Sequence, residues 1–514
     1  MENKGISQQT EKVTKNLDPF QLLSSEEEKS TSPLHSPYVV DKKYDFVVLG
    51  GGVSGLGFAK RVSEHGKTVL VLEKEAIVGG LSRSLHHNGF YLDFCAHRFH
   101  TNNKELLHEV LTLPGLTMEK HIKKSRIYMF NRWLKYPFEI QQLLAAMPIH
   151  QSVVSGFSFV WNMMTKRFRK TNKLQSYKEW FIHLYGKRLY NVMCYPYTSK
   201  IWHHDPGEIS ADWADQRFQG ENLKKLLKRI VKKILTLDFT SYDLKDDSLA
   251  PDGGPFYYPL RGIQEMCDAL ARAATSTGAE ILTSVAITKV NTEGKTVTFT
   301  EGGVSHTVVY DGLISTIPIH EYYNLQERKS VEVEKTIHGI KYMDIVFVFL
   351  FLKIPQVSND HWLYFPDKDI IFNRAVEFSN WSPVMCPEGK TSICFDITTF
   401  KNNKEWKMSE EELKKRTIDD AVRVGYIHRD DVEDALVTKI EYAYPFYDLD
   451  YKRKLDLIVG HLEHNGVALL GRTGMFKYNN SDNSIEMGFA LAEEFLKKDG
   501  KKSVYDYKIK AISL

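Results

Sequence analysis

Residues 50–55, Gly50-Gly51-Gly52-Val53-Ser54-Gly55, place glycines where a chain must turn tightly and let an anion approach its backbone. An apolar run at 44–49 (YDFVVL) precedes the turn, and a helical pattern over 56–65 follows it. A second apolar run at 67–72 (KTVLVL) ends in Glu73. This order predicts a strand–turn–helix–strand unit whose helix N-terminus offers N–H donors and a positive dipole end to a pyrophosphate. The Glu73 carboxylate accepts from ribose hydroxyls and disfavours a 2′-phosphate. By itself the turn says dinucleotide, with NAD and FAD both open.

Three further segments bear on that choice. Val78-Gly79-Gly80-Leu81-Ser82-Arg83-Ser84 resembles the second flavin motif of the amine oxidase and protoporphyrinogen oxidase superfamily. Residues 312–318 (GLISTIP) resemble the later strand of that superfamily that passes the FAD site, and 471–488 (GRTGMFKYNNSDNSIEMG) its C-terminal flavin motif. Within the superfamily, the chain is most similar to UDP-galactopyranose mutases. Ala96-His97-Arg98-Phe99-His100-Thr101 resembles their histidine loop, and 180–202 their helical segment of uridine and sugar contacts. Residues 362–366 with 372–383 (WLYFP and FNRAVEFSNWSP) and 441–447 (EYAYPFY) complete a resemblance running from about Tyr44 to Ala492.

Carried over position by position, the resemblance implies FAD held by Gly50, Gly52, Val53, Ser54, Gly55, Glu73, Lys74, Gly80, Leu81, Ser82, Val285, Gly471, Arg472, Asp482 and Ser484. It implies catalytic roles for Arg374, Arg472 and His97, and substrate contacts from Tyr197, Trp202, Arg217, Tyr364, Tyr444 and Tyr478. Guanidinium forks suit a diphosphate, and tyrosine hydroxyls suit a sugar. Outside such motifs, each tyrosine reads as a core or rim aromatic and each arginine as a surface charge. The implied reaction is redox-neutral exchange of pyranose and furanose forms of a sugar nucleotide through an adduct at N5 of reduced FAD. An NAD(P)H-type reductant would only prime the flavin. The alternative is an oxidoreductase of the same superfamily, acting on an amine, porphyrinogen or polyene. Such an enzyme needs an apolar tunnel and has little use for paired arginines. Three positions depart from the mutase pattern: Cys95 and Arg261 stand where glycine is usual, and Asn483 replaces a histidine.

The elements that must position these groups follow from the wider sequence. At 514 residues and 42% hydrophobic content, the chain can bury several cores. The expected fold class is α/β, with a discontinuous Rossmann-like FAD-binding domain, an inserted helical domain and an antiparallel substrate-binding sheet. Its parts are a disordered tail over 1–42, FAD-binding segments at 43–120, 256–320 and 455–514, a helical substrate domain at 121–255, and the sheet domain at 321–454. The run 344–354 (DIVFVFLFLKI) is too short to span a bilayer and reads as a buried strand.

A net charge of +3 argues against a nucleic-acid partner. The basic run Lys224, Lys225, Lys228, Arg229, Lys232, Lys233 reads as the solvated face of an amphipathic helix rather than an anion or membrane patch. Five scattered cysteines without CxxC spacing, and no apolar leader, predict a reduced cytoplasmic protein without stable membrane insertion. The oligomeric state stays open.

Overall fold

The segment after Lys42 forms the strand Lys43–Leu49, which pairs in parallel with Val69–Leu72 on one side and with Val304–Ser315 on the other. Both faces are buried at residues 47–49, 69–72 and 313–315, so those stretches run largely apolar without alternation. The structure is a computed structural model that describes residues 42–136, 146–166, 174–217 and 255–497. In this sheet Glu280–Leu282 adds beyond Val69–Leu72, and Val467–Leu469 lies parallel to the end of Val304–Ser315. Strands from three separated stretches of chain thus make one Rossmann-like sheet.

Between Glu280–Leu282 and Val285–Asn291 the chain breaks at Ser284, whose backbone is left-handed at φ 57°. Val304–Ser315 is a single long strand. Its first half pairs antiparallel with Thr296–Glu301 and its second half parallel with Lys43–Leu49. Gly312 permits this, because a Cβ there would lie 2.8 Å from the Phe46 ring.

The helix Val53–Ser63 packs between Gln264–Ser276 and Ser481–Leu496. The approach to the last of these is close. A Cβ on Gly488 would sit 2.4 Å from the Ser54 carbonyl oxygen and 2.9 Å from the Phe58 nitrogen.

A second sheet runs in the order Val432–Phe446, Lys341–Leu352, Thr391–Thr399, Arg374–Glu377, Trp362–Tyr364, Ser125–Met129 and Arg132–Lys135. Its pairs are antiparallel except that Trp362–Tyr364 runs parallel to Ser125–Met129. Along Lys341–Leu352, Ile345, Phe347, Phe349 and Phe351 enter one core, and Val346, Val348, Leu350 and Leu352 another. The second core is roofed by Glu410–Arg423, whose N-terminus carries a Ser409/Glu412 capping box. The helical region expected from residue 121 starts later, since 125–135 form a hairpin. Phe130 and Asn131 both take positive φ there, as a two-residue hairpin turn requires.

The helical part contains Ile149–Lys166, Tyr177–Tyr185, Lys187–Leu189, a π-helical turn at Tyr190–Cys194, Tyr195–Trp202 and Asp212–Arg217. The tail at 1–41 and the basic run at 224–233 lie outside the described residues. No helix among the described residues is long and apolar enough to cross a membrane. All five cysteines are buried free thiols.

Candidate functional site

Between the two sheets runs a cleft of about 1200 Å³. One end is floored by the glycine turn. Gly50 takes φ 100°, Gly79 φ 117° and Gly80 φ 58°, conformations that side chains resist. Gly80 approaches Gly52 closely, since a Cβ on Gly80 would lie 3.2 Å from the Gly52 Cα. The helix Val53–Ser63 starts at Gly52 with no side-chain cap and no acid in its first turn, so its N–H groups are available to an anion. Thr316 Oγ1 donates to the carbonyls of Leu49 and Gly50 at 2.9 and 3.1 Å, fixing the turn from the neighbouring strand.

Glu73 is buried, and its oxygens accept from Gly51 N at 2.7 Å and Glu75 N at 2.9 Å. The carboxylate therefore braces the turn and keeps only its remaining lone pairs for a ribose. Lys74, Leu81, Ser82, Val285, Asp482 and Ser484 line the same cleft, as do Gly50, Gly52, Val53, Ser54 and Gly80. Burial pushes the Asp482 carboxyl up to about 6. Gly55 and Gly471 do not line it. A Cβ on Gly55 would lie 2.4 Å from the Gly50 carbonyl oxygen, so this glycine serves helix-to-strand packing. Gly471 sits behind Ser54 at φ 79°. The shape suits an extended dinucleotide: glycines open the floor, uncapped helix N–H groups face it, and a carboxylate closes one end.

At the other end, three strands place Tyr364, Arg374 and Asp396 in one row across the second sheet. Arg374 donates from Nε and Nη2 to Asp396 Oδ2 at 2.6 and 2.5 Å. Burial opposes the guanidinium's charge, but the Asp396 carboxylate holds its pKa well above the usual value. Asp396 Oδ1 is buried without a hydrogen-bond partner among the described residues.

Arg472 is held differently. Its guanidinium donates to the Asn479 and Ala443 carbonyls and lies 4.8 Å from the Tyr444 ring centroid and 5.9 Å from that of Tyr478. Those two rings stack at 5.2 Å. Its hydrogen-bond partners are neutral carbonyls, so its positive charge faces the cleft.

His97 lines the cleft near both arginines. Burial and the positive charges of Arg472 and Arg374 push its pKa down to about 3, so the imidazole is neutral. Its Nδ1 is buried with no hydrogen-bond partner among the described residues. Lys200 fixes the surrounding frame, donating to the Phe365 and Phe372 carbonyls at 2.6 Å each, beside Tyr364 and Arg374.

Two expected substrate residues stand back from the cleft lining, and a third lies outside what is described. Trp202 is 2% exposed and belongs to the core with Trp213 and Phe446, because its short helix turns that face inward. Tyr197 stands one ring back from the cleft, edge-on to Tyr364 at 6.2 Å. Arg217 ends the helix Asp212–Arg217, and its side chain lies outside the described residues.

Of the departures, Cys95 adopts φ 72°, the left-handed backbone natural to glycine, and its thiol donates to Asp396 Oδ2 at 3.3 Å. Arg261 is accommodated because the strained position is its neighbour Gly262, at φ 95°. Asn483 closes a capping box with Asn480 at the helix start. Sequence reading missed Asp396, Thr316 and the pair Arg98–Trp362, whose guanidinium carbon lies 5.5 Å from the indole centroid. An acid inside the apolar strand Thr391–Thr399 was the available signal for Asp396.

Beneath the cleft, Asp93 is fully buried and accepts from Ser84 Oγ, Tyr258 Oη and Ile263 N at 2.5, 2.6 and 3.2 Å. Burial pushes its carboxyl up to about 7, against those hydrogen bonds. A carboxyl raised on folding stabilises fully below its ordinary value, and that contribution is lost as pH rises through about 7. Urea midpoints of the wild type should therefore fall more steeply over that window than those of Asp93→Asn. Parallel profiles for the two proteins would contradict this account.

Two family models match the sequence: a NAD(P)-binding Rossmann-like domain over residues 48–112 and flavin containing amine oxidoreductase over residues 196–457. Protoporphyrinogen oxidase 2, chloroplastic/mitochondrial, of Arabidopsis thaliana is 21% identical over 447 residues, 80% of this chain and 86% of that protein. UDP-galactopyranose mutase of Mycoplasma pneumoniae is 26% identical over 180 residues, 32% of this chain and 42% of that one. Among solved structures, reduced UDP-galactopyranose mutase superposes with a TM-score of 0.77 at 22% identity, covering 92% of this chain and 99% of the other. Putrescine oxidase bound to putrescine gives 0.61 at 14%, covering 89% and 100%. At such identities the superpositions establish the fold.

Proposed function

This chain belongs to the flavin-containing amine oxidoreductase family, and we propose that it binds FAD in the cleft and interconverts pyranose and furanose forms of a sugar nucleotide. The observation that carries this reading is the wall of the cleft opposite the glycine turn. Two arginines, Arg374 and Arg472, share it with Tyr364, Tyr444 and Tyr478, giving a cationic, hydroxyl-bearing surface. An amine or polyene has little use for such a wall, whereas a diphosphate is matched by it.

In this reading the glycine turn and the uncapped first helix would hold the FAD pyrophosphate, and Glu73 and Val285, which line the same cleft, would contribute to its binding. Held there, reduced FAD would supply nucleophilic chemistry toward an anomeric carbon, the protein contributing position and charge. Arg472, with its charge directed into the cleft, stabilises the departing diphosphate, and Arg374 supplies a second positive charge held in place by Asp396. Tyr364, Tyr444 and Tyr478 offer hydroxyls that fix the sugar and diphosphate, with Tyr197 supporting Tyr364 from behind. Neutral His97 lines the cleft beside the two arginines without adding charge. An NAD(P)H-type donor serves only to reduce the flavin.

The match to protoporphyrinogen oxidase over 80% of the chain favours a second reading, oxidation of a porphyrinogen or amine. Dithionite-reduced protein given UDP-galactofuranose should yield the pyranose by chromatography. No conversion, with rapid oxygen uptake on an amine or porphyrinogen, would establish the second reading in place of the first.

A further inference from the structure

The part of the cleft wall that carries Arg472 and Tyr478 is a short loop with a strained joint. Phe476, between the two, is 1% exposed and takes φ 53°, a left-handed backbone that an aromatic residue keeps only where its surroundings over-determine it. The loop closes on itself around that joint. Lys477 N donates to the Arg472 carbonyl at 2.9 Å, Met475 N to the Gly471 carbonyl at 3.1 Å, and Arg472 Nε to the Asn479 carbonyl at 3.0 Å. A change at Phe476 therefore moves the guanidinium and the Tyr478 ring together.

Two buried tyrosines, neither of which lines the cleft, hold this loop from behind. Tyr342 Oη donates to the Thr473 carbonyl at 2.7 Å, and its ring meets Phe476 edge-on at 4.9 Å. Tyr447 grips the joint itself. Its Oη donates to the Phe476 carbonyl at 3.1 Å and accepts from Tyr478 N at 2.9 Å, so one hydroxyl bonds the backbone on both sides of Lys477. The Tyr447 ring is held independently of that hydroxyl, stacked at 4.3 Å on Tyr451, whose own hydroxyl donates to Asp212 Oδ2 at 2.9 Å. We propose that Tyr447 is a positioning residue, whose hydroxyl holds the left-handed turn at Phe476 and so sets the place of Arg472 and Tyr478 in the cleft wall, where they meet a diphosphate. The last clause rests on the function proposed above.

In FAD-loaded Tyr447→Phe, the Kd for UDP, read from tryptophan fluorescence, should rise about tenfold with flavin content unchanged. Hydrogen exchange at the Lys477 amide, which is bonded to Arg472 and not to Tyr447, should quicken by a similar factor. Tyr323→Phe removes an equally buried hydroxyl, bonded to the Ser330 carbonyl at 2.9 Å outside the loop, and should leave both at wild-type values. Unchanged UDP affinity or unchanged exchange in folded Tyr447→Phe, or equal changes in Tyr323→Phe, overturns the proposal. So does a Tyr478 amide that exchanges freely in the wild type, a result that needs no variant. A wild-type protein that ignores UDP would instead refute the diphosphate reading, and the exchange rates alone would then decide the role of Tyr447.

Discussion

Replacing Arg374 with alanine is expected to abolish turnover and lower stability together. If the guanidinium stabilises a departing diphosphate, its loss costs about 10²–10³ in kcat. Its removal also leaves the Asp396 carboxylate buried, with Oδ1 already unpartnered among the described residues, which costs about 3–5 kcal/mol. The double variant Arg374→Ala/Asp396→Ala separates the two effects. It should regain most of the urea midpoint, keep its flavin absorbance and remain inactive. Full activity in the double variant would confine Arg374 to a structural role.

Gly488→Ala should be severely damaging. Both atoms it would strike, the Ser54 carbonyl oxygen and the Phe58 nitrogen, belong to backbone and cannot rotate away. Overpacking of this kind costs about 1–3 kcal/mol or more. The helix Val53–Ser63 would be pushed from its place, so flavin affinity should fall alongside stability. Gly156→Ala is the contrasting case: open space surrounds it in mid-helix, and the added methyl should stabilise by up to about 1 kcal/mol. Equal thermal midpoints for the two variants would refute the close-approach argument.

The glycine turn, its flanking strands and the buried strand expected over 344–354, observed as Lys341–Leu352, were legible because local pattern and tertiary role coincide there. The turn's spacing is imposed by backbone geometry within a dozen residues. The continuity of Val304–Ser315 is hidden from the sequence, because the strand changes partners midway and Asp311-Gly312 looks like a terminator to any local reading. Trp202 was placed in the cleft by motif, yet its direction depends on Trp213 and Phe446 packing around it. Asp396 illustrates the reverse: a lone acid in an apolar strand has meaning only once Arg374 is seen beside it. Cys95 was visible as a departure from glycine, but its left-handed backbone was not.

The helix Val53–Ser63 meets Ser481–Leu496 across a gap too narrow for a methyl group, and the strand Val467–Leu469 closes its sheet. Such contacts join parts of the chain made far apart in time. At roughly 5–20 residues per second, the first helix waits about 20–90 s on the ribosome before its partner emerges. The face of the first helix that meets Ser481–Leu496 stays uncovered through that interval. Cofactor capture then becomes a late event in biogenesis, completed when the last helix docks on the first.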